Sequence, residues 1–288
     1  MTFYLVLEKV IHSRKNQNPN IMMKKIGNAY IAMVEILKNP NILRRIIDDN
    51  SVWMNRVNKK HPGFVNGFPV VEITDLIPGF KESLETVDFL GGASTPPDLC
   101  LIKALCRTKP NCKYFEIGTW RGESVSNASE VCEECYTINL DPVKGFNGLY
   151  KDIIGFFSNG KKNIKQLYGD STKFDFGALN KKFDVIFIDA SHEYLYIKND
   201  TSKVFKYLCK ENTIVIWHDY SITPSTPRYE TIAAILDTIP PEKQKYLYHV
   251  SNTLCAIYTS EGSFPTHKLV DPGIPARKFK VSVEAVDL

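Results

Sequence analysis

Acidic residues and histidines stand at the ends of five apolar segments of this sequence. In chain order, the residues at these ends are Glu116, Gly118, Thr119 and Gly122; Asp141; Gly169, Asp170 and Ser171; Asp189 and His192; and His218, Asp219 and Tyr220. If the segments are parallel strands, their carboxyl ends meet at one edge of the sheet, where open sheets of this kind bind ligands. A site that collects this many carboxylates favours a cation, several hydroxyl groups or a metal ion over bare phosphates.

The stretch "EIGTWRG", residues 116–122, shows what kind of glycine loop follows the first segment. A dinucleotide-binding loop needs G-x-G-x-x-G, and a P-loop needs glycine followed by Lys and Ser or Thr. Neither pattern occurs here, and Glu116 precedes the turn, where it would repel a pyrophosphate. The acid instead suits a ligand that carries an ammonium or sulfonium group.

Apolar segments alternate with helical stretches from Thr95 onward, which predicts an α/β fold with a parallel, doubly wound sheet. Runs such as "VIFI" and "IVIW" are apolar throughout, which is typical of strands buried between two layers of helices. The predicted strands are Tyr114–Ile117, Tyr136–Leu140, Ile164–Tyr168, Val185–Ile188, Ile214–Trp217, Tyr246–Val250 and Leu254–Tyr258. The last two are too close for a helical crossover, so we predict that they pair as an antiparallel hairpin.

Five of these stretches resemble the successive motifs of class I S-adenosylmethionine-dependent methyltransferases. The motifs occur over about residues 95–259 as "FEIGTWRGES", "INLDP", "LYGDST", "FDVIFIDASHEY" and "IVIWHDY". The last two resemble a subgroup with I-D-x-x-H-x-Y and H-D-Y after the fourth and fifth strands. The resemblance implies S-adenosylmethionine as the cofactor and a Rossmann-like, seven-stranded sheet that is mostly parallel and ends in an antiparallel hairpin.

The resemblance also implies contacts with the cofactor at each strand end. These are Glu116 and the loop Gly118–Gly122 with the methionine end, Asp141 with the ribose hydroxyls, Gly169, Asp170 and Ser171 near the adenine, and Asp189 beside the reacting methyl group. A carboxylate suits the ribose because it accepts both hydroxyl protons at once. For Glu116 and Asp141 the alternative is a cap on the N-terminus of the following helix.

Methyl transfer from a sulfonium centre needs an aligned acceptor and a base that takes the acceptor's proton. His192 is the first candidate base, because an imidazole titrates near neutral pH and His192 lies one turn from Asp189. His218 is the second candidate. Either histidine has a structural alternative, in which it bonds the backbone and shapes the pocket. Tyr194 and Tyr220 could line the acceptor site or simply pack.

A metal ion is a further option at these strand ends. Related sugar and catechol O-methyltransferases hold Mg2+ with carboxylates after the fourth and fifth strands, and Asp189 and Asp219 match two such positions. His218 stands where a second acid is often found, and Ser191 replaces the acid that some sugar enzymes use as base. Because a hard cation prefers oxygen ligands, the sequence leaves Mg2+ at Asp189, His218 and Asp219 open.

Three regions are predicted along the chain: a helical N-terminal extension or cap (1–92), the methyltransferase domain (93–260) and a C-terminal tail (261–288). An apolar stripe at helical spacing within residues 21–60, and a second run from Ile42, predict helices in the first region. Residues 1–60 hold 11 Lys or Arg against 4 Asp or Glu, which fits a solvated helical face or an acidic partner surface. The extension is also a candidate interface for a homo-oligomer.

The cysteines and the N-terminal segment indicate a cytoplasmic protein. Seven cysteines argue against a disulfide framework and for a reducing compartment. Cys132 and Cys135 form a lone C-x-x-C, for which two partly buried thiols at a helix end are favoured over a zinc site. The opening residues lack the pattern of a signal peptide, and their apolar run is too short for a membrane span.

The pattern favours S-adenosylmethionine-dependent methyl transfer to a small molecule, most simply at an oxygen of a sugar or other hydroxylated metabolite. The proline-rich residues Ser221–Arg228 are predicted to form a loop over the strand ends, as a lid for the acceptor. The alternatives are an inactive cofactor-binding protein and an NAD-dependent oxidoreductase. A nucleic-acid substrate is disfavoured, because the core is not basic and "DASH" replaces the Asn/Asp-Pro-Pro-Tyr motif.

Overall fold

The structure, a computed structural model, describes four stretches of the chain: residues 19–39, 49–270, 273–274 and 276–287. By their contacts, the residues divide into two units, 1–49 and 50–288. In the first unit, helix α1 spans Pro19–Lys38 and confirms the helix predicted from the apolar stripe. The predicted helix from Ile42 lies outside the described residues. The boundaries at residues 92 and 260 stay predictions.

The second unit is built from helices and strands in alternation. Its helices are α2 (Asn50–Lys60), α3 (Ile73–Leu76), α4 (Pro96–Arg107), α5 (Glu123–Ser129), α6 (Tyr194–Lys203) and α7 (Tyr229–Leu236). Its strands are β1 (Val70–Val71), β2 (Lys113–Ile117), β3 (Glu134–Asn139), β4 (Ile164–Tyr168), β5 (Phe183–Ile188), β6 (Cys209–Trp217), β7 (Ser221–Thr223), β8 (Thr226–Pro227), β9 (Leu247–Val250), β10 (Ala256–Tyr258) and β11 (Thr266–His267).

One mixed sheet has the strand order β11-β1-β9-β10-β6-β5-β2-β3-β4. The seven predicted strands are contiguous in it, and β2 to β6 run parallel to one another. Strand β10 pairs antiparallel with both β9 and β6, which confirms the predicted hairpin. The sheet differs from the prediction by two additional short strands: β1 lies parallel to β9, and β11, at the edge, lies antiparallel to β1.

Both faces of the sheet are buried, as its continuous apolar strands predict. Along β5, Val185 and Phe187 pack in the core on one face, and Ile186 and Ile188 pack in the core on the other. The pattern arises because successive side chains of a strand point to opposite faces. Among the described residues, no helix combines the length and the apolar composition that a membrane span requires.

Helix α4 begins with a cap at Thr95. The Thr95 N–H and hydroxyl both donate to Asp98 Oδ2, at 3.1 and 2.5 Å. Such a reciprocal cap satisfies donors that the first helical turn leaves free. Asp98 is 0% exposed, which is unusual for an aspartate. Its carboxylate also contacts His218, at the end of β6.

Candidate active site

The carboxyl ends of β2, β5 and β6 lie side by side. The Asp189 N–H donates to the carbonyl of Ile117 at 2.8 Å, and the His218 N–H donates to the carbonyl of Ile188 at 3.1 Å. These bonds extend the ladder one residue beyond each strand. The residues that follow the strands are therefore brought together at one edge, as the parallel topology predicts.

The glycine loop after β2 passes close to the end of β5. Gly118 has φ +105°, and a Cβ atom added there would lie 2.0 Å from the carbonyl oxygen of Asp189. Both the positive φ and the close approach require glycine. Gly122, with φ +83°, starts helix α5, and buried Thr119 lies between them and donates its N–H to Asn139 Oδ1 at 3.2 Å.

Glu116 lies beneath the glycine loop. Its carboxylate is 0% exposed and accepts hydrogen bonds from the hydroxyls of Tyr114, Ser124 and Thr137 at 2.8, 2.6 and 2.9 Å. Burial raises the pKa of Glu116 to about 8, so the group holds a proton near neutral pH. The acid thus ties β2 to the first turn of α5, and its predicted contact with the methionine end of the cofactor stays a prediction.

Asp141 and Asp170 lie at the more open ends of β3 and β4. Asp141 Oδ1 accepts the N–H groups of Val143 and Lys144 at 2.9 and 3.1 Å, and these backbone bonds lower the pKa of Asp141. Asp170 Oδ1 accepts the N–H and the hydroxyl of Thr172 at 2.9 and 2.6 Å. Each carboxylate therefore fixes its own turn, and the alternative considered for Asp141, a helix cap, is wrong because turns rather than a helix follow β3. The second oxygen of Asp170 lies 3.5 Å from Lys173 Nζ. The contacts of Asp141 and Asp170 with a ribose and an adenine stay predictions.

His218 lies among three carboxylates. Its Nδ1 is 3.2 Å from Asp189 Oδ1 and 3.4 Å from Asp219 Oδ2, and its Nε2 is 3.4 Å from Asp98 Oδ2. His192 contacts the same Asp219 oxygen through its Nδ1, at 2.9 Å. The side chain of His192 is 52% exposed, against 8% for His218. The structure thus brings the predicted catalytic residues together and presents His192 to solvent.

The charges of this cluster stabilise one another. The hydrogen bond to Asp219 raises the pKa of His192. Burial lowers the pKa of His218, but the negative charge of Asp189 and the bonds to the neighbouring carboxylates outweigh burial and raise that pKa well above its usual value. Burial raises the pKa of Asp219, but both histidines outweigh it and hold the pKa far below its usual range. Asp219 is therefore a carboxylate that lies between two imidazoles.

The donor set at the predicted metal position contains a nitrogen. Asp189, His218 and Asp219 offer ligand atoms that all lie within 4.8 Å of one another. The buried Nδ1 of His218 has no well-directed hydrogen-bond partner among the described residues. One imidazole and two carboxylates fit a borderline cation such as Zn2+ or Fe2+ better than Mg2+, which prefers oxygen ligands in an octahedron. The donor set therefore does not favour the magnesium ion considered from the sequence.

Two residues of the site carry no sequence-based assignment. Asp98 stands in the first turn of α4, and its place in the sequence does not reveal its contact with His218. Arg228 lies beside Asp219, with Nη2 3.5 Å from Oδ1 and Nε donating to the Asp219 carbonyl at 3.1 Å. A basic residue at the end of the predicted lid, facing an acidic cluster, is the signal that could have identified Arg228.

The predicted lid is a short hairpin. Strands β7 and β8 pair antiparallel with Thr223 opposite Thr226, where the sequence predicts an irregular loop. The Arg228 N–H donates to the carbonyl of Tyr220 at 2.7 Å and closes the base of the hairpin. Tyr220, buried with its hydroxyl accepting the N–H of Phe68 at 2.7 Å, packs instead of lining an acceptor site.

Helix α2 braces the segment that carries His192. The hydroxyl of Tyr194 donates to Asp237 Oδ2 at 2.8 Å. Arg56 Nη2 donates to the Tyr194 hydroxyl oxygen at 2.9 Å and to Asp237 Oδ2 at 2.7 Å. The Tyr194 ring stacks on Trp53 at 5.0 Å. Because Tyr194 is two residues from His192, these contacts fix the start of α6 next to the candidate base. Tyr194 therefore supports the site from outside.

Asp237 gives the first testable prediction. Its side chain is 2% exposed and also contacts Lys60 Nζ at 2.6 Å and His61 Nε2 at 2.8 Å. We expect Asp237→Asn to lower the free energy of unfolding at neutral pH by about 1–2 kcal/mol, since Arg56 and Lys60 are half-exposed and partly screened. Denaturant unfolding measures the change, and Asp152→Asn, at an exposed position, is the control.

The pH dependence of the stability difference distinguishes the contribution of the Asp237 charge from that of its packing. Burial raises the pKa of Asp237, but its basic partners and Tyr194 outweigh burial and hold that pKa below its usual value. A depressed carboxyl pKa stabilises the protein above the unfolded pKa of about 4 and ceases to do so as the pH falls through the folded pKa. The stability difference between wild type and variant should shrink in acid, and a difference that stays constant would contradict this account.

The sheet order and the close glycine turn are consistent with a Rossmann-like methyltransferase fold. Residues 115–220 match a family model described as a methyltransferase domain. This stretch runs from β2 through β6 and contains all the predicted site residues. The resemblance recognised in the sequence motifs is thereby confirmed for this part of the chain.

Individual relatives are distant. An uncharacterized protein of Acanthamoeba polyphaga mimivirus is 31% identical over 124 residues, which cover 40% of this chain and 56% of that protein, so the match spans about half of the relative's length. Among solved structures, the O-methyltransferase from Bacillus cereus in complex with SAH is 15% identical, with a TM-score of 0.42 over 59% of this chain and 84% of that chain. An S-adenosylmethionine-bound amino pentose methyltransferase from Micromonospora echinaspora is 12% identical, with a TM-score of 0.35 over 47% and 58%.

Proposed function

We propose that this protein transfers a methyl group from S-adenosylmethionine to a hydroxyl oxygen of a small molecule, a sugar or another hydroxylated metabolite. One observation carries the proposal: a solvent-reachable histidine is paired with a carboxylate, His192 with Asp219 at 2.9 Å, inside the stretch that matches a methyltransferase domain. A hydroxyl acceptor must lose its proton during the transfer, and a histidine–carboxylate pair is a common base for this step.

The cofactor is proposed to lie along the carboxyl ends of β2 to β5. Gly118, Thr119 and Gly122 bring the backbone close to its methionine end, and Asp141 accepts hydrogen bonds from the ribose hydroxyls through its second oxygen. Gly169, Asp170 and Ser171 border the adenine. Asp189, whose side chain is 22% exposed, faces the reacting methyl group. Glu116 supports this arrangement from below by holding α5 against β2.

The proposed step leaves the histidine with a proton. With Nδ1–H donating to Asp219, the Nε2 of His192 carries a lone pair toward the acceptor. The acceptor oxygen forms a bond to the methyl carbon, the carbon–sulfur bond breaks with its electrons going to sulfur, and the acceptor proton passes to Nε2. The cofactor supplies the electrophilic methyl group, and the chain supplies alignment and the base.

A divalent cation could be held by Asp189, the Nδ1 of His218 and Asp219. It would polarise the acceptor hydroxyl and lower its pKa. Without such a cation, a proton on His218 supplies positive charge between the same carboxylates. The base step of His192 runs without such an ion, and turnover with EDTA measures whether one contributes.

The pairing of His192 with Asp219 predicts how turnover depends on pH. Because the hydrogen bond to Asp219 raises the pKa of His192, the base is protonated below the raised pKa, and kcat should rise as the pH increases through it. In Asp219→Asn the pKa of His192 falls, so the rising limb should move to lower pH. The measurement is kcat against pH over about pH 5–9. A flat profile, or a limb that Asp219→Asn leaves in place, would count against His192 as the base.

Binding and turnover test the proposal separately. Calorimetric titration with S-adenosylmethionine and with NAD distinguishes a methyltransferase from a nucleotide-dependent oxidoreductase. Release of S-adenosylhomocysteine with a panel of sugars and polyhydroxylated compounds then distinguishes an enzyme from a cofactor-binding protein. Tight NAD binding without S-adenosylmethionine binding would overturn the proposed function.

A further inference from the structure

Three cysteines from different connections meet at the edge of the sheet opposite the candidate active site. Cys106 lies in the last turn of α4, Cys112 directly precedes β2, and Cys132 stands two residues before β3. Their sulfur atoms all lie within 4.8 Å of one another. The sequence shows a C-x-x-C at Cys132 and Cys135, but Cys135 faces the core from β3 and does not join this group, here called the thiol cluster.

We propose that Cys106, Cys112 and Cys132 form a binding site for a thiophilic divalent cation such as Zn2+. Zinc binds cysteine sulfur at about 2.3 Å, which places two sulfurs of a tetrahedral site about 3.8 Å apart. Sulfur atoms already within 4.8 Å need to move by no more than about an ångström to reach that geometry. An all-sulfur donor set selects soft over hard cations.

The scaffold holds the three residues independently of their side chains. The Glu133 N–H donates to the carbonyl of Cys112 at 2.9 Å, and the Cys132 N–H donates to the carbonyl of Ala128 at 3.1 Å. Asn163 Nδ2 donates to the Cys132 carbonyl at 3.0 Å. The backbone positions are therefore fixed before an ion arrives, which lowers the conformational cost of binding.

The three cysteines of the thiol cluster differ in their exposure to solvent. Cys106 and Cys112 are 0% exposed and Cys132 is 8% exposed, so an ion enters at Cys132. Because cysteine binds a metal ion as the thiolate, binding of one divalent cation releases the protons of all three thiols to solvent. Three thiolates and one divalent cation leave a net charge of −1, and water completes the fourth position of the tetrahedral ion.

The test is a titration of the reduced, full-length protein with Cd2+, whose thiolate complexes absorb in the ultraviolet. The absorbance should rise linearly and saturate at one ion per chain, and Zn2+ should displace the Cd2+. Cys132→Ser and Cys112→Ser should weaken Cd2+ binding by more than about 100-fold, since even an outer-shell partner contributes 10–100-fold. Cys135→Ser, at a buried cysteine of the same core, is the matched control and should bind like wild type.

Three results would overturn the proposal: no thiolate absorbance, equal binding by Cys132→Ser, or a loss of binding in Cys135→Ser as large as in Cys132→Ser. Circular dichroism reports whether each variant is folded. X-ray absorption of the zinc-loaded wild type needs no variant. It should show sulfur ligands at about 2.3 Å, and a shell of nitrogen and oxygen alone would exclude the thiol cluster.

Discussion

His192→Ala should reduce methyl transfer by about 100- to 10,000-fold while the protein still binds S-adenosylmethionine. The range is that of a lost general base. His192 reaches solvent and contacts Asp219, whereas the proposed cofactor contacts lie mainly on β2, β3 and β4. The loss should therefore fall on kcat, with the affinity for the cofactor unchanged. Release of S-adenosylhomocysteine measures kcat, and calorimetry measures cofactor binding.

His267→Ala provides the control for this substitution. His267 lies on β11, the outermost strand of the sheet, with a side chain that is 53% exposed. We expect turnover like that of wild type. If His192→Ala kept most of its activity, His192 would be a structural residue and His218 the remaining candidate. If it lost cofactor binding as well, the residue would belong to the cofactor site.

Gly118→Ala should abolish cofactor binding and destabilise the fold. A methyl group there would lie 2.0 Å from the backbone oxygen of Asp189, and neither backbone can move without shifting β2 against β5. Overpacking costs about 1–3 kcal/mol, and the positive φ adds about 1–2 kcal/mol for a residue with a Cβ atom. Denaturant unfolding and calorimetry with S-adenosylmethionine measure the two effects.

Gly160→Ala separates the close approach from the backbone conformation. Gly160 also has a positive φ, +78°, but an added Cβ atom there would meet no atom within 4 Å. We expect a loss of about 1–2 kcal/mol, from the φ strain alone, and unchanged cofactor binding. Equal losses of stability and cofactor binding in the two variants would show that backbone strain, and not the contact between Gly118 and Asp189, explains why position 118 needs glycine.

The sequence predicts the elements of this fold better than their contacts. Seven strands were predictable because their runs are long enough to show a pattern, whereas their order in the sheet comes from the structure. Strands β1 and β11 have two residues each, too few for any periodicity. They form because β9 offers a free edge, which depends on residues about 180 positions away in the chain.

For the active site too, the sequence predicts which residues share an edge of the sheet better than it predicts their contacts. The types and spacing of Asp189, His192 and His218 indicate their shared edge, because parallel strands bring their ends together. The burial of Glu116 was not predictable, since the sequence does not reveal that Tyr114, Ser124 and Thr137 surround it. The sequence likewise does not indicate that Asp98, a cap residue, contacts a histidine 120 positions later.

Strand β1, which lies between β9 and the outermost strand β11, constrains the order in which a nascent chain folds. Val70 pairs with His249 on one side and with His267 on the other, so β1 leaves the ribosome long before either neighbour exists. Contacts of such long sequence separation form late and slow folding. Until β9 has been synthesised, Val70 and Val71, buried in the finished protein, are exposed, and during that interval the nascent chain is open to aggregation and to chaperones.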